Sequence, residues 1–299
     1  MNHTDYIHYD AHDLAALIRQ GKVTSQKVLD CAIARMEVVN PALNAIITDC
    51  RDFAYACLQK MQGNEPFYGV PILVKDLGFP IANIRDCSGS CFFAQHRAQK
   101  TSEFINQLIK LGFVPFAKTN TPELGLSYVT ESKLFGPCRN PYDLKRTPGG
   151  SAAAIAAGIA PIATASDGGG SIRIPAACCG LFGFKPTPGL LPSGPWSGES
   201  WSGLATAHVL SRSIRDCSAI FALLTQNATH VPVIKKTLTF MCLEGVFADV
   251  PVAAPYAKAQ EFMVALLKDL GHTVGTKYMR LDLETIGTST LTLIAANTC

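Results

Sequence analysis

The chain has few charged residues and no run of one sign. Only 16% of its 299 residues are Asp, Glu, Lys or Arg, and the formal net charge is +3. The basic residues are scattered, so the sequence lacks the basic stripe that is typical of nucleic-acid-binding proteins. Hydrophobic residues make up 48% of the chain, which excludes a mainly disordered protein. We expect a globular α/β protein that binds a small molecule and no nucleic acid.

The sequence also lacks a long apolar run. Its most apolar stretches are interrupted by Gly158 and Pro161, and the amino terminus has no basic cap followed by an apolar core. These features predict a cytoplasmic protein with no membrane partner.

Paired cysteine motifs are missing too. The eleven cysteines are odd in number and irregularly spaced, which favours reduced thiols over disulfides. Cys87 and Cys91 have no second Cys or His pair nearby, so we expect no zinc site there. The neighbouring Cys178 and Cys179 stand in an apolar stretch and are predicted to be buried.

Glycine, in contrast, is concentrated in one informative segment, 167–175. Gly168, Gly169 and Gly170 precede Ser171, and three successive glycines let backbone N–H groups converge beside one hydroxyl. Such amides can stabilise the oxyanion that forms when a serine attacks a carbonyl carbon. The pattern indicates acyl transfer, and the simpler alternative is a flexible glycine turn. A Ser-His-Asp triad is not indicated, because no Gly-x-Ser-x-Gly motif occurs.

Helices and strands alternate along the chain. Ser25 is predicted to cap an amphipathic helix that ends before Asn40-Pro41. An apolar run over 69–76 predicts a buried strand that carries Lys75 at its carboxyl end. Further predicted elements are a helix closed by Gly112, a strand from 113 to 117, a helix over about 213–224, a strand over 238–241 and a helix over 256–270.

The central part of the chain continues this alternation. Ser151 is predicted to cap an alanine-rich helix, and a strand over 162–165 leads into the glycine segment. The Gly/Ser/Pro-rich stretch 189–203 carries Trp196 and Trp201 and predicts a long loop, either on the surface or over a pocket.

Several motifs in this order resemble the amidase signature family of serine hydrolases. They are Gly69-Val70-Pro71 leading to Lys75-Asp76, Lys118-Thr119-Asn120-Thr121-Pro122-Glu123, Asn140-Pro141, Arg146-Thr147-Pro148-Gly149-Gly150, the segment 167–175, and Arg212-Ser213 with Asp216. The form of the 166–171 segment is similar to the branch containing 6-aminohexanoate cyclic-dimer hydrolases.

The resemblance implies an α/β fold with a mixed, mostly parallel sheet covered by helices on both faces. It implies a single domain over 1–299, made of a helical layer (1–65), a catalytic core (66–225) and a carboxyl-terminal part (226–299). The family continues beyond the point where this chain stops, so we expect that last part to be incomplete.

The resemblance also implies roles for individual residues. Family members use a lysine, a bridging serine on a cis peptide and a nucleophilic serine, and the lysine and nucleophile correspond to Lys75 and Ser171. The glycine-serine loop is four residues shorter here, so the bridging role falls to Ser151 or Thr147, and we prefer Ser151. Asp167 and Arg173 are expected to pair and support the glycine turn. Lys118 is a second candidate base, but a structural role is preferred for it.

The leading functional hypothesis is cleavage of a carboxamide through an acyl-Ser171 intermediate, without metal or organic cofactor. The alternative is a catalytically impaired member of the family that binds a partner or has no independent function. An aminoacyl-tRNA amidotransferase subunit ranks third, and a homodimer is left open.

Overall fold

The computed structural model describes residues 1–192, 201–226, 236–244 and 251–298. The chain forms two compact units, Met1–Thr229 and His230–Cys299. The helices of the first unit are α1 (His3–Tyr6), α2 (Ala11–Arg19), α3 (Ser25–Leu43), α4 (Arg51–Gln59), α5 (Glu103–Lys110), α6 (Gly150–Ala156), α7 (Arg173–Cys178) and α8 (Ile214–Leu224). Its strands are β1 (Ile46–Asp49), β2 (Val70–Lys75), β3 (Phe113–Thr119), β4 (Glu131–Ser132), β5 (Gly136–Pro137), β6 (Ile162–Asp167), β7 (Phe182–Gly183) and β8 (Thr206–Ser211).

Six of these strands form one mixed sheet in the order β1-β3-β2-β6-β8-β7. Strands β3, β2 and β6 pair in parallel, β1 and β8 run antiparallel to their neighbours, and β7 returns to the direction of β6. Four of the six strands therefore point the same way, and helices flank the sheet. The predicted mixed, mostly parallel α/β sheet is confirmed.

The central strands form because their sequences are almost continuously apolar. Every residue of β2 and β3 is buried, as is typical of strands covered on both faces. Parallel pairing brings the carboxyl ends of β2 and β6 to the same end of the sheet. Lys75 is the last residue of β2 and Asp167 the last of β6, so both arrive there.

Two predicted helix boundaries are wrong. Helix α3 is capped by Thr24, whose side chain accepts from the Lys27 N–H, and it continues through Pro41 to Leu43. Pro41 has no backbone N–H and so removes the bond to the Glu37 carbonyl oxygen, and the helix ends two residues later. The Asn40 side chain secures the exit by accepting from the N–H groups of Ala45 and Ile46.

The second error concerns α6. Its N-cap is Gly149, which makes no side-chain cap bond, and Ser151 lies inside the helix. The cap prediction failed because the Ser151 hydroxyl is engaged by neighbouring strands instead of by the helix terminus.

The second unit contains β9 (Thr239–Glu244), α9 (Ala254–Asp269), β10 (Thr273–Tyr278) and α10 (Leu283–Thr298), and β9 and β10 pair in parallel. The predicted strand and helix in this region are confirmed, and Gly271 follows α9 with a positive φ of 84°. In the described ranges, none of the helices is long and apolar enough to cross a membrane.

Candidate active site

Lys75 is held at the carboxyl end of β2 by two contacts to β6. Its backbone N–H donates to Thr164 Oγ1 at 2.9 Å, and its Nζ donates to Ser166 Oγ at 3.2 Å. The residue is only 7% exposed. Burial lowers the pKa of Lys75 to about 8, against the opposing influence of the Asp167 carboxylate. The neutral amine is therefore far easier to reach near physiological pH than in an exposed lysine.

Ser171 lies in a turn that Asp167 organises. The buried carboxylate accepts from the Gly170 N–H at 2.7 Å and from the Ile172 N–H at 3.3 Å. Arg173 closes the turn with a bidentate contact, Nε to Oδ2 at 2.8 Å and Nη2 to Oδ1 at 2.9 Å. Burial opposes ionisation of Asp167, but the guanidinium and the amides outweigh it and lower the pKa of this carboxyl. The structure thus brings the predicted Asp167 and Arg173 together beneath the serine.

The amides of the turn are not equivalent. The Gly170 N–H is taken by Asp167, whereas those of Gly168, Gly169 and Ser171 have no hydrogen-bond partner among the described residues. Gly170 has φ +124°, a conformation that L side chains rarely adopt. Gly168 packs so closely under Trp201 that a Cβ there would lie 2.6 Å from the indole ring. The turn therefore leaves three backbone N–H donors, at Ser171 and two of the glycines before it, without a partner in the described residues.

Two cavities meet at Lys75 and Ser171. The larger, of about 610 Å³, is lined by both residues and by Ser166 and Gly168, with apolar walls that include Leu77, Phe79, Leu124 and Trp201. Trp201 thus connects the predicted long loop to a pocket, while Trp196 lies outside the described residues. The smaller cavity, of about 50 Å³, has Lys75, Ser171, Ser151, Thr147 and Asn120 in its wall.

Ser151 is buried and hydrogen-bonded away from both catalytic candidates. Its Oγ donates to the Thr164 carbonyl oxygen at 3.0 Å and lies 2.8 Å from Thr119 Oγ1. Thr147 is engaged as well, since its Oγ1 accepts from the Thr130 N–H at 3.1 Å. Neither hydroxyl makes a hydrogen bond to Lys75 or Ser171.

Lys118, the second candidate base, has the opposite environment to Lys75. Its Nζ lies 2.7 Å from Asp76 Oδ1 and also contacts Asp86. Burial alone would lower its pKa, but the two carboxylates reverse that effect and raise the pKa of Lys118. A lysine that stays protonated cannot accept a proton, so this geometry fits a structural cation.

Ser166 and Thr164 were not singled out from the sequence. They alternate with Ala163 and Ala165 along β6, so their side chains share one face of the strand. That two-residue polar alternation next to the Lys75 strand was the available signal.

Within the described part of the chain, the cysteines form no disulfide. Ten of the eleven lie in the described residues, and all ten are free thiols. Cys87 is buried, with its Sγ 2.9 Å from Asp76 Oδ2, and burial together with that carboxylate raises its pKa to about 12. Cys179 is buried as predicted, but the prediction is wrong for Cys178, the last residue of α7, which is exposed.

Asp10, His12 and Asp216 form one cluster with metal-ligand chemistry. Protein groups already occupy its carboxylates: Arg215 and Ser213 contact Asp10, and the N–H groups of Ala11 and His12 donate to Asp216. This cluster ties α2 to α8 and lines neither of the cavities at Lys75.

Comparison with known proteins places this geometry in context. Residues 27–288 match the family model described as Amidase. The chain is 36% identical over 276 residues to a lipoamidase of Enterococcus faecalis, covering 90% of this chain and 38% of that protein. It is 37% identical over 223 residues to a 6-aminohexanoate-cyclic-dimer hydrolase of Paenarthrobacter ureafaciens, covering 71% of this chain and 44% of that protein.

The fold comparison agrees. A solved structure of 6-aminohexanoate cyclic dimer hydrolase superposes with a TM-score of 0.82 at 31% identity, over 91% of this chain and 61% of that one. The chain spans less than half the length of the two curated relatives above.

Proposed function

The chain belongs to the amidase family, and from that premise we propose that it hydrolyses a carboxamide bond through an acyl-Ser171 intermediate, with Lys75 as the base. The observation that carries the proposal is the juxtaposition of a buried, pKa-lowered Lys75 with Ser171 in the wall of one cavity. A lysine whose pKa lies near the working pH can accept the serine proton and later return it.

The reaction follows from the groups around the cavity. Ser171 Oγ attacks the amide carbon as its proton passes to neutral Lys75, and the carbonyl oxygen gains the negative charge. The free N–H groups of Gly168, Gly169 and Ser171 support that oxyanion. The C–N bond then breaks, the leaving amine takes the proton from Lys75, and water hydrolyses the acyl-serine by the reverse sequence.

The cavity wall supports an amide with an apolar acyl portion. Leu77, Phe79 and Trp201 line the larger cavity, and apolar walls favour an apolar ligand. The relatives named lipoamidase and cyclic-dimer hydrolase are consistent with an amide substrate. We further propose that the enzyme is cytoplasmic, and the free thiols of the described residues support this location. We also propose that it needs no metal or organic cofactor and that it can form a homodimer.

A fluorophosphonate tests the proposal, because it forms a covalent adduct with an activated serine. Intact-mass spectrometry of the folded chain should show one adduct on the wild type and none on Ser171→Ala. Lys75→Ala should react about 10²–10⁴-fold more slowly, which is the usual contribution of a general base. Equal labelling of wild type and Ser171→Ala would refute Ser171 as the nucleophile.

The alternative, a family member that binds without catalysis, is favoured by one observation. Neither Ser151 nor Thr147 hydrogen-bonds Lys75 or Ser171, so neither hydroxyl joins the base to the nucleophile. An unlabelled but demonstrably folded wild-type chain would support this alternative.

A further inference from the structure

The route by which the Ser171 proton reaches Lys75 is the open question within the proposed function. Lys75 Nζ donates to Ser166 Oγ, and no hydrogen bond joins Nζ to Ser171. That contact uses one N–H of the amine and leaves its lone pair available when Lys75 is neutral. A relay group must therefore present a proton to Lys75 and accept one from Ser171.

Ser151 is the hydroxyl that the sequence favours for the bridging role, and it lines the smaller cavity. Its hydrogen bonds leave it without a proton to pass to Lys75. Ser151 has one hydroxyl proton, and it is donated to the Thr164 carbonyl oxygen. With that proton committed, Thr119 is left as the donor of the 2.8 Å contact between the two hydroxyls. Ser151 can accept a further hydrogen bond but has no proton to give, so it holds α6 against β3 and β6.

The smaller cavity provides the relay site in another way. It has a volume of about 50 Å³, and about 10–15 Å³ already holds one water molecule. Lys75 and Ser171 both line it, so a water molecule in this cavity is bordered by the base and by the nucleophile.

Asn120 supplies a third polar partner. It lines the same cavity and is 1% exposed, and its Oδ1 has no hydrogen-bond partner in the described residues. Its Nδ2 donates to the carbonyl oxygens of Asn44 and Gly136, which lie outside the cavity wall. A buried acceptor without a partner is costly, and a bound water removes that cost.

We propose that the cavity walled by Lys75, Ser171 and Asn120 binds a water molecule that carries the proton from Ser171 to Lys75. As Oγ bonds to the acyl carbon, the Ser171 proton moves to the water oxygen and one proton of that water moves to Nζ, which becomes the ammonium. The water is regenerated, and the reverse transfer delivers the proton to the leaving amine. The inference rests on the proposed function.

A cavity-filling pair of variants tests it. Ala152 lines the smaller cavity, whereas Ala154 is equally buried in the same helix and lines neither cavity described above. Ala152→Val should slow fluorophosphonate labelling of Ser171 at least about tenfold, because its added methyl groups displace the water. Ala154→Val is the matched control and should label within about twofold of wild type, with both variants checked by circular dichroism.

A second measurement needs no core substitution. We would measure the labelling rate of wild type in mixtures of H₂O and D₂O. A plot of this rate against the deuterium fraction should be curved and not linear, because two protons move in one step. Ser166→Ala should keep that curvature, since the second proton belongs to the water and not to the Ser166 hydroxyl.

The outcomes separate the two claims. No adduct on the folded wild type would overturn the proposed function and the relay together. Labelling of wild type with equal rates for Ala152→Val and Ala154→Val, or a linear deuterium dependence, would overturn the relay alone. Loss of the curvature in Ser166→Ala would also overturn the water relay. It would assign the proton transfer to the Ser166 hydroxyl, which lines the larger cavity.

Discussion

Two buried lysines lie near the carboxyl ends of the neighbouring strands β2 and β3, and their surroundings shift their pKa values in opposite directions. Lys118 lies between Asp76 and Asp86, which hold its proton. Lys75 contacts a hydroxyl and has no carboxylate within ion-pair distance among the described residues, so burial dominates and lowers its pKa to about 8. The same residue type is therefore a structural cation at one strand end and a candidate base at the next.

This contrast predicts that replacing Lys118 lowers the stability of the protein, whereas replacing Lys75 lowers its activity. Lys118→Met leaves two carboxylates beside an apolar side chain and should lower the free energy of unfolding by about 3–5 kcal/mol, as breaking a buried ion pair does. Lys75→Met removes an amine that is costly to bury and should leave stability unchanged or raised while slowing labelling about 10²–10⁴-fold. Urea unfolding with parallel fluorophosphonate labelling measures both. A large stability loss in Lys75→Met would contradict the assignment.

At the scale of elements, β6 positions the site. Its backbone pairs with β2 at Ile72↔Ile162 and Leu73↔Ala163. Beyond these pairs, side chains of β6 make the contacts to Lys75. Thr164 Oγ1 accepts from the Lys75 N–H, and Asp167 at the end of the strand holds the glycine turn. One strand thus fixes both base and nucleophile.

Thr164→Val is the corresponding prediction. The variant keeps the shape of the side chain but leaves the buried Lys75 N–H without an acceptor, which should cost about 1–3 kcal/mol of stability. It should also slow labelling, because Lys75 loses its anchor. Thr164→Ser restores the acceptor and should recover most of both losses. Failure of the serine variant to recover labelling would assign Thr164 a packing role only.

A glycine pair at the start of α6 tests the packing of that helix. A Cβ on Gly150 would lie 2.3 Å from the Asn120 carbonyl oxygen, whereas on Gly149 the nearest atom is Pro175 Cβ at 3.3 Å. Gly150→Ala should therefore destabilise the protein by about 1–3 kcal/mol. Gly149→Ala should cost less than about 1 kcal/mol, the range of cap substitutions. Equal melting temperatures for the two variants would contradict the described packing.

The elements were largely predictable from sequence, and the contacts that complete the site were not. The apolar runs of β2 and β3 identify buried strands directly, and the glycine segment identifies the Ser171 turn. The Lys75–Ser166 contact joins residues 91 positions apart, and no local pattern encodes it. The Ser151 cap prediction failed for the same reason, because distant Thr119 and Thr164 determine what its hydroxyl binds.

At the scale of the whole molecule, burial differs strongly between the two units. All six residues of β2 are buried, whereas none of the sixteen residues of α9 is. Amide hydrogen exchange should therefore be slow in β2 and β3, at the level of global unfolding, and much faster in α9, because local opening is easiest where little apolar surface is buried. Equal protection of α9 and β2 would contradict the burial pattern.

The central claim, that Lys75 activates Ser171, is tested most directly by the rate of fluorophosphonate labelling as a function of pH. The active form carries neutral Lys75, so the rate should rise with pH and level off above a midpoint near the pKa of about 8. Lys75→Ala should lose this step and remain slow throughout. A rate that is independent of pH between about 6 and 10, or a step that persists in Lys75→Ala, would contradict the account.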